Sequence, residues 1–180
     1  LFSERMCRHF LEDFDLDTKV ARYHNIYGPL GTFDGGREKS PAALCRKIAQ
    51  AKIQGLDEIE VWGDGEQTRS YLFIEDCVEA TLKFFESNYH GPINIGSEEQ
   101  VSINQMIGLI EEIAKYKVTK NYNTKMPVGV KGRSSNNDKI KKELNWEPNY
   151  SLKQGLTETY NWIEGMLKNK KNNTSLYTMS

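Results

Sequence analysis

The chain has 180 residues, with 24 Lys and Arg against 25 Asp and Glu and a formal net charge of −1. Hydrophobic residues make up 38% and charged residues 27%, which excludes a disordered polyelectrolyte and a membrane-spanning chain, and a pI near 6.4 leaves no basic excess for a nucleic-acid surface. No apolar run nears the roughly 20 residues of a spanning helix and the first five residues make no signal peptide, so the expectation is a cytoplasmic protein without membrane or nucleic-acid partners.

Residues 3–14 place Met6, Cys7, Phe10, Leu11 and Phe14 on one stripe, the period of an amphipathic helix. Residues 19–23 read as a strand, and residues 25–39 as a loop rich in turn formers. Ser40-Pro41 opens a helix to about residue 51, with Ser40 as cap and Pro41 in the first turn. Residues 58–62 alternate as a strand, Gly63-Asp64-Gly65 predicts a hairpin turn, and residues 71–74 the returning strand. A helix follows over 75–87, with Val78, Leu82 and Phe85 expected on its inner face. Residues 92–96 make a short buried strand.

Ser102 and Gln105 form a capping box. The helix they open carries Ile103, Met106, Ile107, Ile110, Ile113 and Ala114 at spacings of three and four. Residues 118–122 fit a strand, 126–133 a loop and 138–144 a short helix. Ser151 and Gln154 cap a last helix bearing Leu152, Leu156, Ile163 and Leu167, so one folded unit over 1–167 and a flexible polar tail over 168–180 are expected. Strands alternating with helices place the chain in the α/β class. No internal repeat is present.

Cys7, Cys45 and Cys77 are odd in number, share no metal spacing and each lie beside apolar residues, so they read as buried free thiols. His9, His24 and His90 are scattered, and no zinc constellation appears. Three Asn-x-Ser/Thr matches, at Asn149, Asn172 and Asn173, read as chance without a secretory signal. No Gly-rich turn joins a strand to a helix near the start, so the phosphate-cradling fingerprint of a dinucleotide site is absent and no cofactor-binding residue is assigned.

Four polar motifs fall in loops or at strand ends, where an α/β fold holds its ligands. Arg22-Tyr23-His24-Asn25-Ile26-Tyr27-Gly28-Pro29 presents a carboxamide, which both donates and accepts and so suits a sugar hydroxyl or a diphosphate oxygen, or else caps the turn. Gly35-Gly36-Arg37-Glu38-Lys39-Ser40-Pro41 combines close backbone approach with cations at a helix start, an arrangement for an anion or for a lysine that exchanges protons, and equally for a solvated loop. Trp62-Gly63-Asp64-Gly65-Glu66-Gln67-Thr68-Arg69 ends in an arginine able to pair with phosphate. Gly129-Val130-Lys131-Gly132-Arg133-Ser134 is a further cationic loop. With no acidic triad and no metal set, these point to an anionic ligand, and a nucleoside diphosphate fits better than a neutral metabolite.

Taken together, Arg22-x-x-Asn25-x-Tyr27-Gly28-Pro29, Gly63-Asp64-Gly65-x-Gln67-x-Arg69, Asp76 and Asn94-Ile95-Gly96 resemble, in order and spacing, the C-terminal half of the extended short-chain dehydrogenase/reductases that act on nucleotide sugars. The insertion Gly35-Gly36-Arg37-Glu38-Lys39 and Ser70 after Arg69 are most similar to the branch that epimerises a GDP-hexose at C3 and C5. The likeness runs from Leu1 to about Lys168. It implies the last part of a Rossmann-like parallel sheet plus a small α/β substrate-binding lobe, a GDP-sugar substrate, NAD as cofactor and a homodimer. It also implies a mechanism: NAD oxidises C4, the resulting ketone acidifies the hydrogens on C3 and C5, an acid/base pair inverts those centres, and the reduced cofactor restores the alcohol.

In the family that pair is a Cys and a Lys. The resemblance makes Lys39 the lysine, while the Ser-x-Cys motif carrying the cysteine has no counterpart here, and none of the three cysteines is substituted for it. Carried over position by position, Asn25 would lie near the sugar diphosphate, and Glu38, Lys39 and Ser40 along the hexose. Lys47 would reach the diphosphate, Gln67, Thr68 and Arg69 would hold nucleotide and phosphate, and Arg133 would clamp the diphosphate. The family's Gly-rich NAD turn, catalytic Tyr and Lys, and acid/base Cys would all precede Leu1, so the 180-residue chain is expected to be inactive alone. Two alternatives stay open: another NAD-dependent nucleotide-sugar epimerase, dehydratase or decarboxylase, and a non-catalytic GDP-sugar-binding module.

Overall fold

Helical periods and strand alternation interleave along the chain, and the computed structural model, which describes residues 1–177 with side chains through residue 170, turns that pattern into a layered α/β unit. The elements are α1 (Phe2–Phe14), β1 (Ala21–Tyr23), β2 (Ile26–Tyr27), α2 (Ser40–Gln54), β3 (Glu58–Trp62), β4 (Thr68–Ser70), β5 (Leu72–Phe73) and α3 (Ile74–Glu86). Then follow β6 (Ile93–Ile95), β7 (Gln100–Ser102), α4 (Ile103–Ala114), β8 (Thr119–Asn123), β9 (Gly132–Arg133), α5 (Asp138–Leu144) and α6 (Leu152–Tyr177). The last helix thus continues through Tyr177, past residue 167 where its apolar period ends, and residues 178–180 of the expected tail lie outside the described residues.

Pairing is mostly parallel: β1 with β6, β2 with β5, and β3 with β8. β4 sits between antiparallel β7 and parallel β9. The expected hairpin after Gly65 therefore does not form. β3 pairs with β8, about 60 residues on, and the chain leaves the Gly63-to-Gly65 turn for a different sheet. Gly63 and Gly65 have φ of +79° and +78°, and a side chain on either would collide with Val128 or Asn104, so the turn reverses the chain without starting a ladder.

Alternation along β2 and β5 divides the core. Tyr27, Tyr71 and Phe73 face one cluster, which α2, α4 and α6 enclose with Leu44, Ile48, Met106, Ile110, Leu156 and Ile163. Leu72 faces the other, built from Cys77, Ala80 and Phe84 of α3, Ile93 and Ile95 of β6, and Ile140, Leu144 and Trp146. Gly155 lets α6 approach this wall so closely that a Cβ would meet the Tyr27 hydroxyl and the Phe73 ring, and Tyr27 Oη donates to Leu152 O at 3.2 Å.

Several local expectations differ in detail. Lys39, not Ser40, is the N-cap of α2, and Ser40 is its first residue. On α3 the inward residues are Asp76, Cys77, Ala80 and Phe84, while Val78, Leu82 and Phe85 are exposed. Small Cys77 and Ala80 let the helix lie close on the sheet, and the bulkier stripe is turned out. The α4 capping box forms as expected, Ser102 N–H donating to Gln105 Oε1 and Gln105 N–H to Ser102 Oγ. Cys45 and Cys77 are buried free thiols, while Cys7 is half-buried. On α1 no residue is buried.

Candidate active site

The C-terminal half of β3, the first turns of α2 and the loop at residues 127–128 enclose a cavity of about 470 Å³, within the size range of small-ligand sites. Glu38, Ser40, Lys47 and Gln67, four of the residues singled out above, line it. They share it with Gly36, Arg46, Glu60, Trp62, Pro127 and Val128, and with apolar Ala43, Leu44, Val61 and Ile103 beneath.

Two buried acceptors in this lining have no hydrogen-bond partner: Glu38 Oε2 and Gln67 Oε1. Gln67 Nε2 donates to Trp62 O at 3.2 Å, which fixes the amide and leaves its carbonyl free. An unpaired buried acceptor is costly unless a ligand supplies a donor. Glu38 Oε1 accepts from Arg46 Nη2 at 2.8 Å. Burial works to raise the Glu38 carboxyl, but the neighbouring backbone amides and Arg46 outweigh it and hold the pKa below the usual carboxylate range, so Glu38 is ionised at neutral pH. Lys47 Nζ donates to Glu60 O at 2.6 Å. Desolvation draws its pKa below the ordinary lysine value, against the opposing pull of the Glu60 carboxylate.

Lys39, at the α2 N-cap between Glu38 and Ser40, has an exposed side chain with no partner among the described residues, beside the cavity rather than in its wall. Asn25 is spent on structure: at φ 45° it closes the turn after β1, and its Nδ2 donates to Ser70 O at 3.0 Å. Thr68 donates to Gln100 Oε1 at 3.1 Å inside its sheet. Arg69 grips the loop that forms one cavity wall, donating to Val130 O at 2.5 Å and Val128 O at 3.4 Å. Arg133 is exposed, and its side chain makes no hydrogen bond or ion pair among the described residues. Parallel register pairs Arg133 with Arg69 across β9 and β4; the Arg69 guanidinium turns to the 128–130 loop while the Arg133 charge acts on His24.

Sequence reasoning missed Arg46, Glu60 and Trp62. The first carries a signal only in hindsight, as a cation nearly two turns after a Glu-Lys-Ser helix start, while Glu60 and Trp62 look like ordinary outward residues of an alternating strand. Desolvation and the nearby Arg133 charge push the His24 pKa down, leaving it neutral at the carboxyl end of the β1–β6 pair.

Neither of two strand-to-helix junctions is a dinucleotide cradle: β5 runs into α3 at Phe73–Ile74 without a glycine turn, and the amides at the start of α4 are occupied by the Ser102–Gln105 box. Among the described residues no cluster of His, Cys, Asp and Glu could hold a metal ion, and no helix is long and apolar enough to cross a membrane.

Parallel strand pairs covered by helices, with a cavity beside strand ends and a helix N-terminus, define an α/β protein with parallel sheets. The chain belongs to the NAD dependent epimerase/dehydratase family, whose model matches residues 1–96. It is 45% identical to the GDP-mannose 3,5-epimerase of Arabidopsis thaliana, over the whole of this chain and 47% of that protein. It is 46% identical to GDP-mannose 3,5-epimerase 1 of Oryza sativa subsp. indica, over 95% of this chain and 44% of that one. The crystal structure of UDP-glucose 4-epimerase from Thermotoga maritima with UDP-glucose superposes with a TM-score of 0.82 at 29% identity, covering 92% of this chain and 52% of that one. The chain spans about half the length of the relatives it matches.

Proposed function

We propose that this chain supplies the substrate-binding half of an NAD-dependent epimerase that inverts C3 and C5 of GDP-mannose. The observation that carries the reading is the cavity wall in which Glu38 Oε2 and Gln67 Oε1 stand buried without donors beside Lys47, in a chain 45% identical to a GDP-mannose 3,5-epimerase. Glu38 and Ser40 take hexose hydroxyls, Gln67 takes an N–H of the nucleotide, and Lys47, with Arg133 and Arg69, faces the diphosphate. Lys39, unpartnered at the rim, exchanges a proton at C3 or C5. Thr68 and Asn25 support this wall through their bonds to Gln100 and Ser70.

NAD is proposed to be held mainly by a part of the enzyme other than these residues, since neither the start of α3 nor that of α4 offers a pyrophosphate cradle. When bound it supplies the oxidation of C4. The complete enzyme is proposed to be a cytoplasmic homodimer, and the 180-residue chain alone to be inactive. Calorimetric titration with GDP-mannose and then with NAD tests the reading. Heat from GDP-mannose without heat from NAD is expected, and turnover of GDP-mannose by the pure chain would overturn the division of labour. Saturable binding of UDP-glucose in place of GDP-mannose would redirect the reading to a 4-epimerase.

A further inference from the structure

We propose that Arg46 is a positioning residue that sets the loop reading the hexose, by holding Glu38 so that its free oxygen meets a sugar hydroxyl. The inference rests on the nucleotide-sugar reading and adds a residue to it. Arg46 projects from α2 with only 17% of its side chain exposed. Its Nε donates to Phe33 O at 2.8 Å, Nη2 to Glu38 Oε1 at 2.8 Å and Nη1 to Gln50 Oε1 at 3.0 Å, and Asp34 Oδ1 lies 3.9 Å from Nε. One guanidinium therefore ties both ends of residues 33–38 to the helix. A planar fork of five N–H donors on three nitrogens can meet three spaced acceptors at once, whereas the three donors of a lysine radiate from a single nitrogen.

The segment between those ends has little else to hold it. Gly35 and Gly36 have φ of +94° and +81°, and nothing lies within 4 Å of where a side chain would begin on either. Glu38, by contrast, has a side chain only 7% exposed, and its Oε2 is a buried acceptor at the cavity wall. By occupying Oε1, Arg46 leaves Oε2, on an ionised carboxyl, without a hydrogen-bond partner. A carboxylate repels a diphosphate, so the group it meets is an uncharged donor, either a sugar hydroxyl or a guanine N–H; with Ser40 lining the same cavity and Lys39 between them in sequence, the proposal assigns it a hexose hydroxyl.

The test compares the 180-residue chain with Arg46→Gln and Arg46→Lys by amide hydrogen exchange and by titration with GDP-mannose and with GDP. Exchange over residues 34–39 is expected to rise about tenfold in Arg46→Gln, with the amides of α4 unchanged. GDP-mannose affinity is expected to fall about tenfold while GDP affinity stays within about twofold, and Arg46→Lys to recover only part of the loss. Unchanged exchange over 34–39 overturns the positioning role. Equal loss for both ligands overturns the hexose assignment and makes Arg46 a general stabilising residue. If the unsubstituted chain binds neither ligand, the nucleotide-sugar reading and the hexose assignment fall together, and the exchange comparison alone decides whether Arg46 holds the loop. Should Arg46→Gln not fold, Glu38→Gln, equal in shape, is expected to show the same loss that spares GDP.

Discussion

Helices α4 and α1 are both amphipathic and nearly equal in length, yet they end in opposite states. Of the twelve residues of α4, Ile103, Met106, Ile107, Ile110, Glu111 and Ala114 are buried. None of the thirteen in α1 is, and Phe2 and Phe14 remain 77% and 72% exposed. An apolar stripe is a demand for a partner rather than a contribution to stability, and α4 finds that partner in α2 and α6 while α1 finds none that buries it. What ties α1 down is polar: Arg22 pairs with Glu4 at 2.8 and 2.6 Å, and Thr18 Oγ1 donates to Cys7 O at 2.7 Å. Exposed pairs of this kind contribute little. The candidate cavity is set on the well-packed side, its floor being the outer wall of the larger core.

The sharpest way to break this contrast is to truncate one apolar residue on each side. Leu156→Ala, fully buried under α2 and α4, is expected to lower the unfolding free energy by about 2–5 kcal/mol in urea titrations. Phe14→Ala should stay within about 0.5 kcal/mol of the parent chain, and a loss there comparable to that of Leu156→Ala would end the distinction. Next in size is Gly155→Ala. Its new methyl would press on the Phe73 ring at 2.7 Å and on the Tyr27 hydroxyl, at a cost of about 1–3 kcal/mol and with no matching cost for Gly165→Ala on the open side of the same helix.

The smallest effect concerns the acid limb of stability. Burial of Glu164 works to raise its pKa, but bonds from Lys168, Lys52 and Tyr160 prevail and hold it at about 2 rather than 4.5. A depressed carboxyl stabilises the fold fully above the unfolded value and loses that contribution as pH falls from about 4.5 toward 2. The advantage of the parent chain over Glu164→Gln at pH 6 is therefore expected to shrink by about 1–2 kcal/mol at pH 3. An advantage that does not change with pH would mean that the α2–α6 seam is held by packing alone.

Where a residue pattern answers to its own neighbours in sequence, the fold was readable in advance: the Ser102 box, the strand at 58–62 and the helix Asp138–Leu144 are all as expected. Where the answer depends on a distant partner it was not. Two stripes compete on α3, and the sheet selects small Cys77 and Ala80 over larger Val78 and Leu82. β3 looks like half a hairpin because nothing local announces that residues 119–123 will lie beside it. The site divides the same way. Glu38, Ser40, Lys47 and Gln67 line one cavity. Asn25 turns to the carbonyl of buried Ser70, Thr68 to the Gln100 amide of the neighbouring strand, and Arg69 to the carbonyls of Val128 and Val130. Arg46, Glu60 and Trp62 escaped notice because a mid-helix arginine and the polar face of a strand carry no sequence mark of what they will face.

The bond from Tyr27 to Leu152 joins residues 125 apart, and that span sets a clock. A ribosome adding about 5–20 residues per second leaves about 6–25 s between making the acceptor's partner and making the acceptor. Once α2 has itself been made and has left the exit tunnel, Leu44, Ile48 and Ala51 stay uncovered until α6 follows, since α6 is their lid. The larger core therefore closes only when α6 emerges, and the nascent chain presents an apolar side before it presents a cavity to any ligand.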